Sequence, residues 1–301
     1  MDYMQLVKTS IVRAWRYRFL WFFGFFVTVT DGFGGFHWLD DRFDKIDRFH
    51  RFSRFEDLSI EFDPAFLIML GLLVFSLWII FWVMNVISEG SLIHGVSRKE
   101  MNLGTSFSEC WSAGLKNFLR LFGIILLITL LTVFVIIGSI LFIIPAFILS
   151  VPLGVVLSLF ALPVIFAVVV VAVSVEGWAI RYAVLNDEPW LTAIKKGWFL
   201  FKDNIWKTVA IALLSFFTQL VLWCFLVIVM VILALPFIIM GYVYLWLGLI
   251  PGLFTIILVI ILSAAFFGVF ASTIWTLGFM RLTNYKGLQV EENVNYGSST
   301  L

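Results

Sequence analysis

Charge is scarce in this sequence. Asp, Glu, Lys and Arg make up 13% of its 301 residues, about half the share in an ordinary soluble domain. The 20 basic and 19 acidic residues leave a net charge of +1, so no long-range field draws the chain to nucleic acid. Cysteine occurs twice, at Cys110 and Cys224. One lies in a polar connector and the other in an apolar run, which argues against a disulfide between them. Histidine occurs only at His37, His50 and His94, with no two at i,i+3 or i,i+4. No H-E-x-x-H, C-x-x-C, Walker loop, G-x-G-x-x-G or G-x-S-x-G is present, so no metal site, cofactor or catalytic motif is expected.

Apolar residues are what the chain has in excess. They form 62% of it, and the mean hydropathy is +1.07. A soluble fold of this size could not bury that much apolar surface, so a polytopic membrane protein is expected. A bilayer core about 30 Å thick needs roughly 20 apolar residues per helix. Phe66 to Ile87 is one such span, free of charge. The charge-free stretch Leu121 to Ser174 is cut by Pro145, Pro152 and Pro163. It reads as two helices, Leu121–Ile144 and Gly154–Val175, because Pro removes a helical donor and clashes with the preceding turn. The stretch Thr208 to Met280 reads likewise as Thr208–Ala234 and Gly252–Met280, with breaks around Pro236, Gly241, Gly248 and Pro251. No ionisable side chain falls inside these five spans.

Phe19–Thr30 is the short segment, 12 residues or about 18 Å as a helix. It either spans, with Arg13, Arg16 and Arg18 snorkelling to the headgroups, or re-enters. If it spans, 15 Lys and Arg fall on one side and 5 on the other; if it does not, the split is 9 to 11. The positive-inside rule favours a sixth span and both termini in the cytoplasm of a cell membrane. The long basic start and the missing A-x-A site argue against a cleaved signal.

The chain also resembles itself. An offset of 87 maps Glu89-Gly90 onto Glu176-Gly177 and Asn117-Phe118-Leu119-Arg120 onto Asn204-Ile205-Trp206-Lys207. An offset of 99 maps Phe19-Leu20 and Phe23-Gly24 onto Phe118-Leu119 and Phe122-Gly123. Fixed offsets of this kind suggest three copies of one unit, an amphipathic helix followed by two spans. The expected division is an interfacial helix 1–18, repeats 19–87, 88–175 and 176–280, and a cytoplasmic tail 281–301.

The expected amphipathic faces are Tyr3, Val7, Ile11, Ala14 and Trp15; Phe107, Cys110, Trp111, Gly114 and Phe118; and Leu191, Ile194, Trp198, Phe201 and Ile205. Ser106 with Glu109 forms an S-x-x-E capping box at the start of the second. Arg13, Arg16, Arg18, Lys116, Arg120, Lys195, Lys196 and Lys207 flank these helices. They are candidates for contact with lipid headgroups, so membrane lipids are the expected partners.

Glu89 and Glu176 end their spans at repeat-related positions and are candidate gate or ligand carboxylates. Asn85, Ser215, Thr218 and Gln219 make up the polar inventory of the spans, with interhelical hydrogen bonding as the expected role. Ala264, Gly268 and Ser272 form a small-xxx-small seam suited to close packing within the bundle. The loop 31–63 carries triplets from Asp41 onward, with Phe43, Phe49, Phe52 and Phe55 among their apolar members. Three acid-before-base pairs, Asp41–Lys45, Asp44–Arg48 and Asp47–Arg51, favour short helices there. This loop is a candidate docking surface for a protein partner, and deleting 41–58 is expected to spare folding and insertion.

The E-G after a span, the Ser106–Phe118 helix running into Asn-aromatic-Leu-Arg, and the run Ala193 to Asn204 carry a resemblance. So does the opening Met1-Asp2-Tyr3 with Arg18 to Gly24. Together they resemble the prokaryotic membrane domain fused to some glycerophosphoryl diester phosphodiesterases. The resemblance covers the membrane part only. The catalytic barrel of those enzymes would need about 250 residues, and the spans leave no room for it. The expectation is an all-α bundle of six transmembrane helices in three repeated hairpin units, with cytoplasmic interfacial helices. Its expected role is non-enzymatic, as a lipid-contacting scaffold or partner subunit. The alternative is a transporter or channel for an apolar or lipid-like solute.

Overall fold

The computed structural model describes residues 3–33 and 64–285. Every regular element among them is helical: α1 (Tyr3–Arg16), a 3₁₀ turn (Arg18–Leu20), α2 (Trp21–Phe33), α3 (Pro64–Glu100), α4 (Phe107–Leu149), α5 (Val151–Leu185), α6 (Trp190–Asp203), α7 (Ile205–Val243) and α8 (Leu245–Thr283). Five of these, α3, α4, α5, α7 and α8, are long and apolar enough to cross a membrane. The short apolar α2 has 13 residues, about 20 Å against the roughly 30 Å of a hydrocarbon core.

The amphipathic segment after α3 is not a separate helix. It runs straight into the span as one 43-residue α4. Its start carries the expected capping box: Glu109 N–H donates to Ser106 Oγ at 3.3 Å, and Ser106 N–H donates to Glu109 Oε2 at 3.3 Å. The breaks also fall later than the prolines suggest. α4 passes Pro145 and stops at extended Ser150 (φ −163°, ψ 138°), and α7 passes Pro236 and stops at Tyr244 (φ −140°, ψ 104°). A proline removes one donor, yet the helix continues where the rest of the turn holds. The turn at Ser150 is instead set by Pro152, whose φ suits the first turn of α5.

Hydrophobic packing is concentrated at one end of the bundle. Trp178, Phe23, Phe270, Phe279, Leu92 and Leu121 are wholly buried there. Farther along the long helices, Leu130, Phe134, Phe142, Ile148, Phe160 and Phe166 stand exposed. Lipid can cover such a surface, whereas water could not do so without a large hydrophobic penalty.

Four helix pairs lie backbone to backbone, α7 and α8 among them, where a Cβ on Gly248 would fall 2.4 Å from the Phe237 carbonyl oxygen. α2 crosses α8 where Gly24 meets Gly268; a Cβ on Gly268 would fall 2.1 Å from the Gly24 carbonyl oxygen. The seam 264–272 therefore packs inside the chain. A Cβ on Gly114 of α4 would fall 2.3 Å from the Ile87 carbonyl of α3, and one on Gly197 of α6 would fall 3.0 Å from the Val175 carbonyl of α5. The expected faces turn to the core in large part: Tyr3, Val7 and Ile11 of α1, Trp111 and Phe118 of α4 and Ile194 of α6 pack against it, and Ala14, Cys110, Gly114 and Phe201 are buried. α6 buries Ala193, Gly197, Leu200 and Phe201, while Leu191 and Trp198 remain exposed. α1 buries Leu6, Ser10 and Ala14, while Trp15 is 58% exposed. Small residues at these crossings let the backbones approach.

Candidate functional site

A cavity of about 390 Å³ lies between α3, α5, α7 and α8, with Val27 of α2 on its wall. Its lining mixes charged, polar and apolar side chains. α3 contributes Glu89, α5 contributes Glu176 and Arg181, α7 contributes Gln219, and α8 contributes Ser272 and Trp275. The two carboxylates singled out from the sequence thus share one site. Glu89 is half-buried and lines the cavity.

Arg181 was missed, because the sequence reading ended that span at Val175 and placed 176–207 in a cytoplasmic loop. The helix instead continues to Leu185. The signal was available in the helical spacing of Ser174, Trp178 and Arg181, which are all buried. Arg181 is 3% exposed. Its Nη1 donates to the Gly177 carbonyl oxygen at 2.6 Å, and its guanidinium lies 5.8 Å from the Trp275 ring centroid. Its buried Nε has no hydrogen-bond partner, and neither has the buried Ser272 Oγ. Glu89 and Arg181 attract one another electrostatically, yet no N–O contact within 4.0 Å joins them. A buried guanidinium such as that of Arg181 is costly to leave without a close charged partner.

The span polar groups do not bond between helices as expected. Thr218 Oγ1 donates to the Leu214 carbonyl at 2.8 Å, and Gln219 Nε2 donates to Ser215 Oγ at 3.3 Å, both within α7. Asn85 Oδ1 is buried without a partner. Trp178 Nε1 does bridge helices, donating to Thr208 Oγ1 at 3.3 Å.

The candidate lipid-facing cations separate into two groups. Lys116 and Arg120 both reach Asp187, at 3.4 and 2.7 Å. The hydrogen bond from Arg120, with help from Lys116, holds the Asp187 carboxyl below the usual aspartate range. Lys196 pairs with Glu188, and Arg13 pairs with Glu100. Arg16, Arg18, Lys195 and Lys207 are exposed, with Arg18 5.7 Å from the Trp15 ring centroid. Lys195 borders an apolar groove of about 760 Å³ formed by α4, α5 and α6, and Arg18 borders a second, of about 560 Å³, formed by α1, α2, α7 and α8. Phe43, Phe49, Phe52 and Phe55 lie outside the described residues. Among the described residues no cluster of three or more His, Cys, Asp or Glu is placed to hold a metal ion. Cys110 and Cys224 are both free thiols.

These features define a polytopic all-α membrane protein with a charged cavity at the packed end of its bundle. The chain belongs to a family of unknown function, DUF7544, whose profile matches residues 10–286. The match carries no link to the phosphodiesterase-fused domains that the helix-mouth motifs resemble. No curated protein and no solved structure matches the chain.

Proposed function

We propose that this chain is a non-enzymatic membrane protein that binds a small polar solute in the α3–α5–α7–α8 cavity, as a transporter or channel does. One observation carries the reading: Glu89 and Arg181 line a common cavity within helices long enough to cross a membrane, and they do not close on each other. Intramembrane ionisable groups mark solute or ion pathways more often than they serve packing. The charged lining favours a polar solute over the apolar one suggested by composition. In this reading α2 is a short sixth span, both termini are cytoplasmic and the packed end faces the cytoplasm. Three related units fit the way α1 rests on α8, the 107–118 segment on α3 and α6 on α5.

The scaffold reading keeps one specific support. The groove beside Lys195 is apolar along its length, and its only other polar side chain, Thr132, already donates to the Ile128 carbonyl. An acyl chain there would place its phosphate by the ammonium group. Native mass spectrometry of the protein extracted with its own lipid tests the cavity reading, using the variant Ala271→Phe, which fills the cavity wall. A small molecule carried by the parent chain and lost from the variant is expected. The same bound species in both would overturn the reading, and a second protein at fixed stoichiometry with no small molecule would restore the scaffold.

A further inference from the structure

The cavity holds opposite charges apart. Arg181 presents an Nε–H that meets no acceptor, although the side chain is buried. Glu89 receives no hydrogen bond from any described residue. Glu176 has an interaction of its own, so Glu89 and Arg181 are the open pair. An acid and a guanidinium that share a cavity would gain by closing into an ion pair. Here each is fixed to its own helix, and the space between them is left for a third group.

Ser272 Oγ adds a further unpartnered hydroxyl, one helical turn from Trp275 on the same cavity wall. The Arg181 Nε–H needs an anionic or strongly accepting oxygen, and Glu89 needs a donor that carries positive charge. A lone cation would leave Arg181 unsatisfied, and a lone anion would leave Glu89 so. The volume of about 390 Å³ lies at the small end of ligand sites, which run from about 300 to 1,000 Å³.

We infer that the ligand is a small zwitterion: an ammonium group joined through a few bonds to a carboxylate or phosphate, with the ammonium at Glu89 and the anion at Arg181 and Ser272. This inference rests on the reading of the cavity as a binding site. The same chemistry occurs in free amino-acid-like solutes and in an ethanolamine phospholipid headgroup.

The test is calorimetric titration of the full chain in phosphatidylglycerol nanodiscs with glycine, phosphoethanolamine, ethylamine and acetate. At least one zwitterion is expected to bind at least tenfold more tightly than ethylamine or acetate. Glu89→Gln should weaken that binding at least tenfold. Ser272→Ala, which leaves both charges in place, should weaken it several-fold, and Ser139→Ala should leave it unchanged. Ethylamine or acetate binding as tightly as either zwitterion would overturn the zwitterion and leave the cavity as a site. So would the failure of all four probes while Ala271→Phe still releases a co-purified molecule. No binding by any probe, with nothing released by Ala271→Phe, would overturn both inference and site. Nanodiscs of phosphatidylethanolamine separate the sources. A tenfold loss of phosphoethanolamine affinity there supports the headgroup, and unchanged affinity supports a free solute.

Discussion

Replacing Gly268 with Ala should separate two helix backbones. The added methyl would sit 2.1 Å from the Gly24 carbonyl oxygen and 2.7 Å from its Cα. No flexible side chain is there to yield, so α2 and α8 must part by roughly 1 Å to reach the 3.0 Å that real Cβ contacts respect. α2 is poorly free to move. Trp21 at its start donates from Nε1 to the Ala14 carbonyl of α1 at 2.8 Å, and α1 itself rests on α8. Overpacking costs about 1–3 kcal/mol, and a backbone obstacle puts this case near 3. At roughly 2–4 °C per kcal/mol for a large domain, the midpoint should fall by about 6–12 °C. Gly71 and Gly138 are the controls, since a Cβ at either meets nothing within 4 Å. Alanine at those positions should stabilise the helix by about 0.5–1 kcal/mol. Thermal unfolding of the three variants in nanodiscs, followed by tryptophan fluorescence, measures the contrast. A Gly268→Ala midpoint within about 2 °C of the parent, or an equal fall in Gly138→Ala, would refute the crossing.

Trp178 is wholly buried against Trp275, with ring centroids 4.9 Å apart. Trp178→Ala should therefore cost about 3–5 kcal/mol in reversible denaturation, and a cost under about 1 kcal/mol would place the ring outside the core. Asp187 is held in its charged form mainly by Arg120, so its pairs stabilise the fold above the ordinary aspartate range and lose that effect as pH falls through the lowered folded value. The side chain is 59% exposed, so the effect is about 1 kcal/mol at most. Asp187→Asn should flatten the acid limb of the stability profile, and an unchanged limb would count against the pairing. Lys195→Glu should lower retention of phosphatidylglycerol in native mass spectra several-fold, whereas Lys207→Glu, which borders no such groove, should not. Equal retention in both variants would remove the lipid role of the groove.

The membrane class and most helices could be read from the sequence because charge-free runs of span length have few physical alternatives. Their ends could not. Pro145 and Pro236 look like stops, but whether a helix survives a proline depends on the turns around it, and the chain breaks instead at Ser150 and Tyr244. The amphipathic faces were legible only in part for a related reason. Hydrophobic periodicity assumes that large apolar residues face the core, and Tyr3, Val7, Ile11, Ile194 and Phe201 do, but Ala193 and Gly197 are buried beside them and Trp15 and Trp198 stand exposed. Glu89 and Glu176 stood out because each precedes a glycine at the same offset. Arg181 did not, because a cation six residues past an apolar run reads as the start of a positive cytoplasmic loop. Only the continuation of α5 to Leu185 turns it inward.

Glu89 and Arg181 line one cavity, and the proposed site requires that they act on each other through it. A double-mutant cycle on the unfolding free energy of the chain in nanodiscs, with Glu89→Gln, Arg181→Gln and the double variant, measures that interaction directly. A coupling of at least about 1 kcal/mol is expected, with the double variant less destabilised than the two single losses combined. Additivity within about 0.5 kcal/mol would contradict it.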